Sequence, residues 1–363
     1  MLHYYINRMK IIKSLYILVG IILTNFSLAQ DFHFSQYNEN PSLINPALTA
    51  SRDAVRASVV YKNQWKSVTT PYTTYGASID AKFKPSNWEQ ADKFRQKIYK
   101  RSVNKGSAGI SFYNDKAGDG KLTTTNFNIS LATFVKLNEV NKLSFGVQGS
   151  LTQKKVDYSQ LVFPSQYNGS IYDPSTPSNE SYNGQNIFYP DLAAGIAWCY
   201  GKNGSTFTAN SQSYANLGFS IYHITRPNQS FLKGSGNRLD MKYNLHGNFS
   251  LASDEKRYGL EPSFLAQLQG KNLEVIAGSL FRYFLSIDSK YTGYNRRSAI
   301  GLGVYYRNQD AMITSLLLEY KAYAIGVSYD LNISQLKAAS SFKGGMEITI
   351  RYTNSAIFLY QKK

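Results

Sequence analysis

Bulky apolar residues recur at every second position along most of this chain, with small or polar residues between them. From Tyr323 the series Tyr323, Ile325, Val327, Tyr329, Leu331 alternates with Ala324, Gly326, Ser328, Asp330. Ile300, Leu302, Val304, Tyr306 alternate with Gly301, Gly303, Tyr305, and Met346, Ile348, Ile350, Tyr352 with Glu347, Thr349, Arg351. The stretches Leu143 to Leu151 and Leu192 to Tyr200 behave in the same way. A period of two is that of strands with two unlike faces. About fourteen such runs are found, centred on Val59, Ala77, Ile110, Ile129, Val147, Ile196, Phe219, Leu245, Phe264, Ile276, Leu302, Leu316, Val327 and Ile348, with the pattern weakest around Leu245 and Ile276. A soluble sandwich also alternates, but turns its apolar faces onto a shared core. Here the opposite face carries Gly, Ala and Ser as well as charges, which suits a lumen partly filled by side chains and an inserted segment. The pattern predicts an all-β fold: a transmembrane antiparallel β-barrel of about fourteen strands, an even number that closes with both ends on the periplasmic side.

With that orientation the odd-to-even connections face outward. The longest, about Asp157 to Tyr189, is rich in Ser, Asn, Pro and Tyr (Tyr167, Tyr172, Tyr182, Tyr189) and poor in charge. Arg226 to Asp240 and Asn332 to Lys343 fall on the same side. Short turns at Asn138–Asn141 and Ser253–Lys256 fall on the periplasmic side. The longer link Pro85 to Lys105 is an exception, and Trp88, Ala91, Phe94 or Arg95, and Ile98 within it share one helical face. Nothing marks a second domain.

The stretch before the first strand is of another kind. Pro41 and Pro46 lack amide donors, so it is no central strand. Phe34, Tyr37, Leu43, Ile44 and Leu48 make it too apolar for a solvated tail. Residues 30–53 are therefore expected to pack in or at the periplasmic mouth as a plug. Trp65, at the end of the first strand, fits an anchor at a water–lipid boundary.

Composition agrees with this reading. The 363 residues include 29 Tyr, 20 Phe and 26 Gly but only 17% charged side chains. That is poor material for soluble helices and good material for strands with aromatic girdles. A mean hydropathy of −0.34 argues against a helical membrane protein but not against a barrel. Residues 1–29 read as a signal peptide: Arg8, Lys10 and Lys13, an apolar run from Leu15 to Leu28, and Ser27-Leu28-Ala29 before the cut. Cleavage there leaves Gln30 or Asp31 first, a single domain spanning 30–363, and no lipobox cysteine. No later stretch approaches about eighteen consecutive apolar residues. Losing the three leader cations lowers the formal charge from +17 to +14. The cations are spread along the chain, which fits lipid headgroups or a pore lining, and nucleic acid is excluded as a partner by the export signal. Cys199, the single cysteine, excludes an internal disulfide and a cysteine metal site, and reads as a small apolar strand residue.

No constellation points to catalysis, a cofactor or a metal. Outside the leader only His33, His223 and His246 remain, without metal-ligand spacing or a flanking nucleophile signature. Asn114-Asp115-Lys116-Ala117-Gly118-Asp119-Gly120 resembles a calcium loop only superficially, lacking its last glutamate, and reads as a turn. Gly301 and Gly303 lie inside a strand run. Asp330, Glu347 and Arg351 sit on the polar faces of neighbouring strands. A charge facing lipid at mid-depth costs on the order of 2–4 kcal/mol, so they are expected in the lumen. There they would pair with arginines such as Arg56 or Arg282, or hold the Phe34–Ala50 segment.

Several motifs in order carry a family resemblance. Phe34-Ser35-Gln36-Tyr37, Asn40-Pro41 with Ile44-Asn45-Pro46-Ala47, then Ser51-Arg52 and Tyr61 to Gln64-Trp65 open the mature chain. Near the end stand Gly326-Val327-Ser328-Tyr329-Asp330, Ser334-Gln335-Leu336 and Gly344-Gly345-Met346-Glu347-Ile348, with a weaker match at Asp115-Lys116-Ala117-Gly118. Together they resemble the PorP/SprF family of outer-membrane proteins associated with the type IX secretion system of Bacteroidetes. The resemblance implies a barrel in the outer-membrane lipid that helps secrete or anchor a large surface adhesin bearing a type IX C-terminal domain, as in gliding. It also implies periplasmic peptidoglycan-bound or motor components as partners. A passive porin for small solutes is the alternative on the same fold. Candidate plug and partner residues are Phe34, Gln36, Tyr37, Asn45, Pro46 and Arg52; Trp65 and the loop tyrosines Tyr167, Tyr172 and Tyr182; and Asp330 and Glu347. The chain departs from the usual aromatic end of such barrels by running on from Tyr352 to Lys363, either as a periplasmic extension or because the last strand is shifted.

Overall fold

The computed structural model describes residues 33–67, 70–83, 106–118, 120–138, 140–157, 161–173, 175–180, 186–201, 213–231, 236–252, 257–285, 298–334 and 340–354. The leader, the helical pattern at 88–99, the turn at 253–256, Tyr182 and the tail beyond Asn354 lie outside them. Fourteen antiparallel strands close into a barrel in chain order. They are β1 (Val55–Gln64), β2 (Tyr72–Lys82), β3 (Gly106–Ala117), β4 (Leu122–Lys136), β5 (Asn141–Lys155), β6 (Asn186–Gly201) and β7 (Ser213–Tyr222). The second half is β8 (Lys242–Ala252), β9 (Tyr258–Gln269), β10 (Asn272–Phe284), β11 (Ala299–Arg307), β12 (Ala311–Tyr320), β13 (Tyr323–Asn332) and β14 (Lys343–Asn354). Each run centre read from the sequence falls inside its own strand. β14 closes on β1 with Val55 opposite Asn354 and Gln64 opposite Gly345, so no edge is left open. This places the last strand at Lys343–Asn354, with Tyr352 between Ala57 and Tyr323.

The outward face explains the composition. Val59, Ile129, Val147, Leu302 and Ile325 stand about half exposed around the wall. A continuous apolar belt of this kind is stable only in lipid. Aromatic side chains rim it at both ends. Trp65, one residue past β1, meets Tyr72 edge-on at 4.9 Å at the end opposite the termini. Tyr323 and Tyr352, 5.3 Å apart, and Trp198 with Tyr200 mark the end that bears the termini. That end faces the periplasm in outer-membrane barrels, and the long loops lie at the other.

The inward face is polar except on one side. Ile276, the centre of one of the two weakest runs in the sequence, is fully buried and points into the lumen, as do Leu265, Ile313 and Tyr305. The alternation weakens around Ile276 because both faces of the wall are apolar there. Tyr189, expected in the long outer loop, belongs instead to β6 and is buried. Cys199 is a buried residue of β6, packed with Ala197, Ala47 and Leu48. Asp115 lies in β3 and Gly118, at φ +64°, starts the turn to β4. Among the described residues no group of His, Cys, Asp and Glu is placed to hold a metal.

Candidate functional site

The segment from His33 to Ala54 lies inside the barrel. It does not stop at the periplasmic mouth, but runs the length of the lumen from the loop end to the end that bears the termini. Its prolines open short 3-10 turns at Pro41–Leu43 and Pro46–Leu48, where a missing amide costs nothing. The Asn45 side chain caps the second, accepting from the Ala47 amide at 2.9 Å. A segment without ladder bonds must satisfy its buried backbone otherwise. The wall does so with side chains. Glu347 accepts from the amides of Ser35 and Gln36 at 2.7 and 2.9 Å. Arg56 donates to the carbonyls of Asn38 and Glu39 at 3.1 and 2.6 Å. Ser220 and Asn244 both donate to the Ile44 carbonyl, at 2.7 and 2.9 Å. Ser144 holds the Ala47 carbonyl, Ser107 that of Thr49, and Asp80 takes the Ala50 amide.

Two buried ion networks hold this segment, one toward each end of the barrel. Near the loop end His33 lies 3.1 Å from Glu274 and touches Arg307, which pairs with Asp330. Ser35 donates its hydroxyl to Asp330 at 2.8 Å, and Lys62 donates to the His33 carbonyl at 2.7 Å and stands 4.0 Å from Glu347. At the other end Glu39 takes Arg351 at 2.7 Å, while Glu319 joins Arg351 to Arg282, which also meets Glu261 at 2.9 Å. Asp330 and Glu347 thus both pair inside the lumen and bind the segment. Their cationic partners are Arg307 and Lys62 rather than Arg56 or Arg282, which lie at the opposite end. Sequence reasoning passed over Arg307, 1% exposed, although it ends the inward series Gly301, Gly303, Tyr305.

Between the networks the fit is steric. Tyr37 and Ile44 join Leu265, Ile276, Tyr305 and Ile313 in one apolar cluster, and the Tyr37 hydroxyl donates to Ser263 at 2.9 Å. Asn45, fully buried, bonds the Ile196 carbonyl at 3.0 Å and His246 at 3.0 Å. A β-carbon at Gly195 would collide with the Asn45 side chain, and one at Gly146 with the backbone of Pro46 and Ala47. Phe34 lies beside Val60 over Gly76, and the Gln36 side chain rests on Gly326. Arg52 covers the ring of Tyr214 at 4.0 Å.

Trp65, Tyr167 and Tyr172 stand apart from this segment, at the loop end. The outer loop is ordered locally around a 3-10 turn at Pro164–Gln166. Tyr167 and Tyr172 bridge with rings 5.2 Å apart, and the Asn168 side chain accepts from the amides of Ser170 and Ile171 at 3.0 Å. Hydrogen bonds from the Ser175 hydroxyl and amide hold the Asp173 carboxyl below its ordinary pKa. The tip offers Val162, Ile171, Tyr167 and Tyr172, each about half exposed or more.

Comparison with known proteins adds the following. Residues 26–352 match the family described as type IX secretion system membrane protein PorP/SprF. No curated protein matches the chain. Among solved structures it is similar to the TodX deltaS2S3 mutant monoaromatic hydrocarbon channel, at 10% identity and a TM-score of 0.43, covering 87% of this chain and 94% of that one. It is also similar to BamA from Haemophilus ducreyi lacking POTRA domains 1–3, at 12% identity and a TM-score of 0.38, covering 83% and 70%. Likenesses this weak carry no information on what the chain binds.

Proposed function

This chain belongs to the PorP/SprF family of type IX secretion system membrane proteins, an outer-membrane barrel associated with secretion, and we propose that it serves there as a docking and anchoring platform for a secreted protein rather than as a conduit. One observation carries this reading: the lumen holds the chain's own segment, bonded to the wall along its length. Cavities of about 60, 60 and 70 Å³ beside it have room for a few waters each. The surface left for a large partner is the loop end. Its aromatic and aliphatic tip, Tyr167, Tyr172, Val162 and Ile171, has the composition that anchors protein interfaces. The partner proposed is a large surface adhesin with a type IX C-terminal domain, retained at the outer face, with periplasmic peptidoglycan-bound or motor components at the opposite end. The porin reading is less supported, because a solute would have to displace the segment.

The test is crosslinking in intact cells, followed by purification of the detergent-solubilised barrel and identification of what comes with it. The wild type is compared with a variant whose residues 161–180 are replaced by a Gly-Ser linker, its folding checked by heat-modifiable gel migration. Expected is one large surface protein held by the wild type and lost from the variant. Equal recovery from both would refute the role of the loop, and recovery of periplasmic proteins alone would refute the platform.

A further inference from the structure

We propose that β6 carries a docking edge above the membrane, which an extended strand of the secreted partner joins by main-chain pairing. The inference rests on the docking role argued above and names how the partner is held. Closure of the wall leaves no edge within the ring, but β6 overtops its neighbour. On one side it pairs with β5 all the way from Tyr200, opposite Asn141, to Asn186, opposite Lys155. On the other, β7 accompanies it only from Gly201 to Ala194, which lies opposite Ile221. One more bond follows, from the Ile224 amide to the Leu192 carbonyl at 3.1 Å. Successive residues of a strand point their amide and carbonyl to alternate sides, so Pro190, Phe188 and Asn186 face the same side as Leu192. Among the described residues none bonds their main chain there. Two amides and three carbonyls thus stand unpaired in a row.

The departure of β7 is built into the structure. His223, the residue after β7, has φ +59°, a left-handed conformation that ends the strand. Asp191, a buried inward-facing residue of β6, holds it there: His223 Nδ1 and the Thr225 hydroxyl each lie 2.6 Å from the Asp191 carboxylate. The connection to β8 then turns over the mouth, where the Gln229 side chain accepts from Lys154 at 2.6 Å. The chain that would have covered β6 is drawn inward and clamped.

The position of the edge selects its partner. Leu151, opposite Pro190, is the last apolar outward residue of β5, and Gln153 and Lys155 stand opposite Phe188 and Asn186. The edge therefore lies above the lipid, where unpaired main chain is allowed, and an open edge in water is a template for a further strand. Phe188, 62% exposed, and Ile224, 39% exposed, are the apolar side chains nearest this edge. A strand with apolar residues on its outward face and polar ones on the other would continue the sheet where β7 leaves it and cover both.

The test compares two variants of the full-length barrel, both checked for heat-modifiable migration. Phe188→Pro removes an amide from the open edge and none from the ladder with β5, while Phe188→Val keeps that amide. Recovery of the surface protein by crosslinking in intact cells is measured for each. In parallel, the purified barrel in detergent is titrated with a capped heptapeptide of alternating Thr and Val, and with the same peptide N-methylated at every amide. Hydrogen exchange is followed over residues 186–190. Expected are a loss of about tenfold in recovery and in peptide affinity for Phe188→Pro, as a lost main-chain hydrogen bond implies, and little change for Phe188→Val. Exchange at Asn186 and Phe188 should slow with the plain peptide alone. Such slowing with no surface protein recovered from cells would uphold the edge and refute the platform. Equal recovery by both variants, with no slowing by the peptide, would refute the edge and leave the platform standing. Equal binding of the N-methylated peptide, equal losses in the two variants, or recovery of a second copy of this chain in place of a surface protein would also overturn the proposal.

Discussion

At the scale of single residues, the lumen is shaped by what glycine leaves out. Gly195 admits the Asn45 side chain, which joins the walls through Ile196 and His246. Gly195→Ala should destabilise the folded barrel by about 1–3 kcal/mol, the usual result of overpacking a tight site. Denaturant unfolding in detergent checks this, with Gly149→Ala, where a β-carbon meets nothing within 4 Å, as the neutral comparison. The buried Arg307–Asp330 pair makes a sharper case. Replacing Arg307 alone by Met leaves Asp330 uncompensated and should cost about 3–5 kcal/mol, whereas adding Asp330→Asn should recover part of that loss. A double variant as unstable as the sum of the singles would mean that the two charges do not interact. The inward placement of Asp330 and Glu347 could be read from alternation, because a charge on the lipid side is too costly. Their partners could not: Arg307 meets Asp330 across the intervening β12, 23 positions away, and Ser35 meets Glu347 over 312 positions only because the segment lies inside the lumen.

At the scale of elements, the legible strands are those with one apolar face. β13 alternates without exception, its Tyr323, Ile325, Val327, Tyr329 and Leu331 outward and Ala324, Gly326, Ser328, Asp330 and Asn332 inward. β10 blurs because it has two apolar audiences, lipid outside and the Tyr37–Ile44 cluster inside. The two faces should respond differently to truncation. Ile276→Ala opens a cavity against the segment and should cost about 2–5 kcal/mol. Leu302→Ala faces lipid, which closes over the missing atoms, and should cost well under half as much in the same unfolding assay. Equal losses at both sites would show that the inner cluster is not packed as a core. Irregular elements were legible only in outline. Pro41 and Pro46 excluded a strand, but the path of the segment up the lumen depends on bonds to wall serines, asparagines and carboxylates, which leave no periodic signal.

For the whole molecule, strand number and the inner segment are one problem. An eight-stranded barrel is filled by its own side chains, and barrels of sixteen to eighteen strands leave an aqueous channel. Fourteen strands lie nearer the second case. Much of this wall is lined by Gly, Ala and Ser, which would leave a wide wet core. The segment fills it, and every strand but β12 reaches it with a hydrogen bond or an ion pair, while β12 contributes Ile313 to the apolar cluster. Wall and segment therefore specify each other: serines that would merely line water become backbone partners, and glycines that would weaken strands become clearance. The intact barrel in a planar bilayer should then pass little or no steady current. Deleting residues 33–53 while keeping β1 should yield either an unstable barrel or one with large, steady conductance, and supplying the segment as a synthetic peptide should close it. A deletion variant that folds, migrates normally and still passes no current would mean that the wall seals itself. Steady conductance from the intact chain would mean that the segment leaves the lumen freely, and the barrel would then belong with channels rather than with platforms.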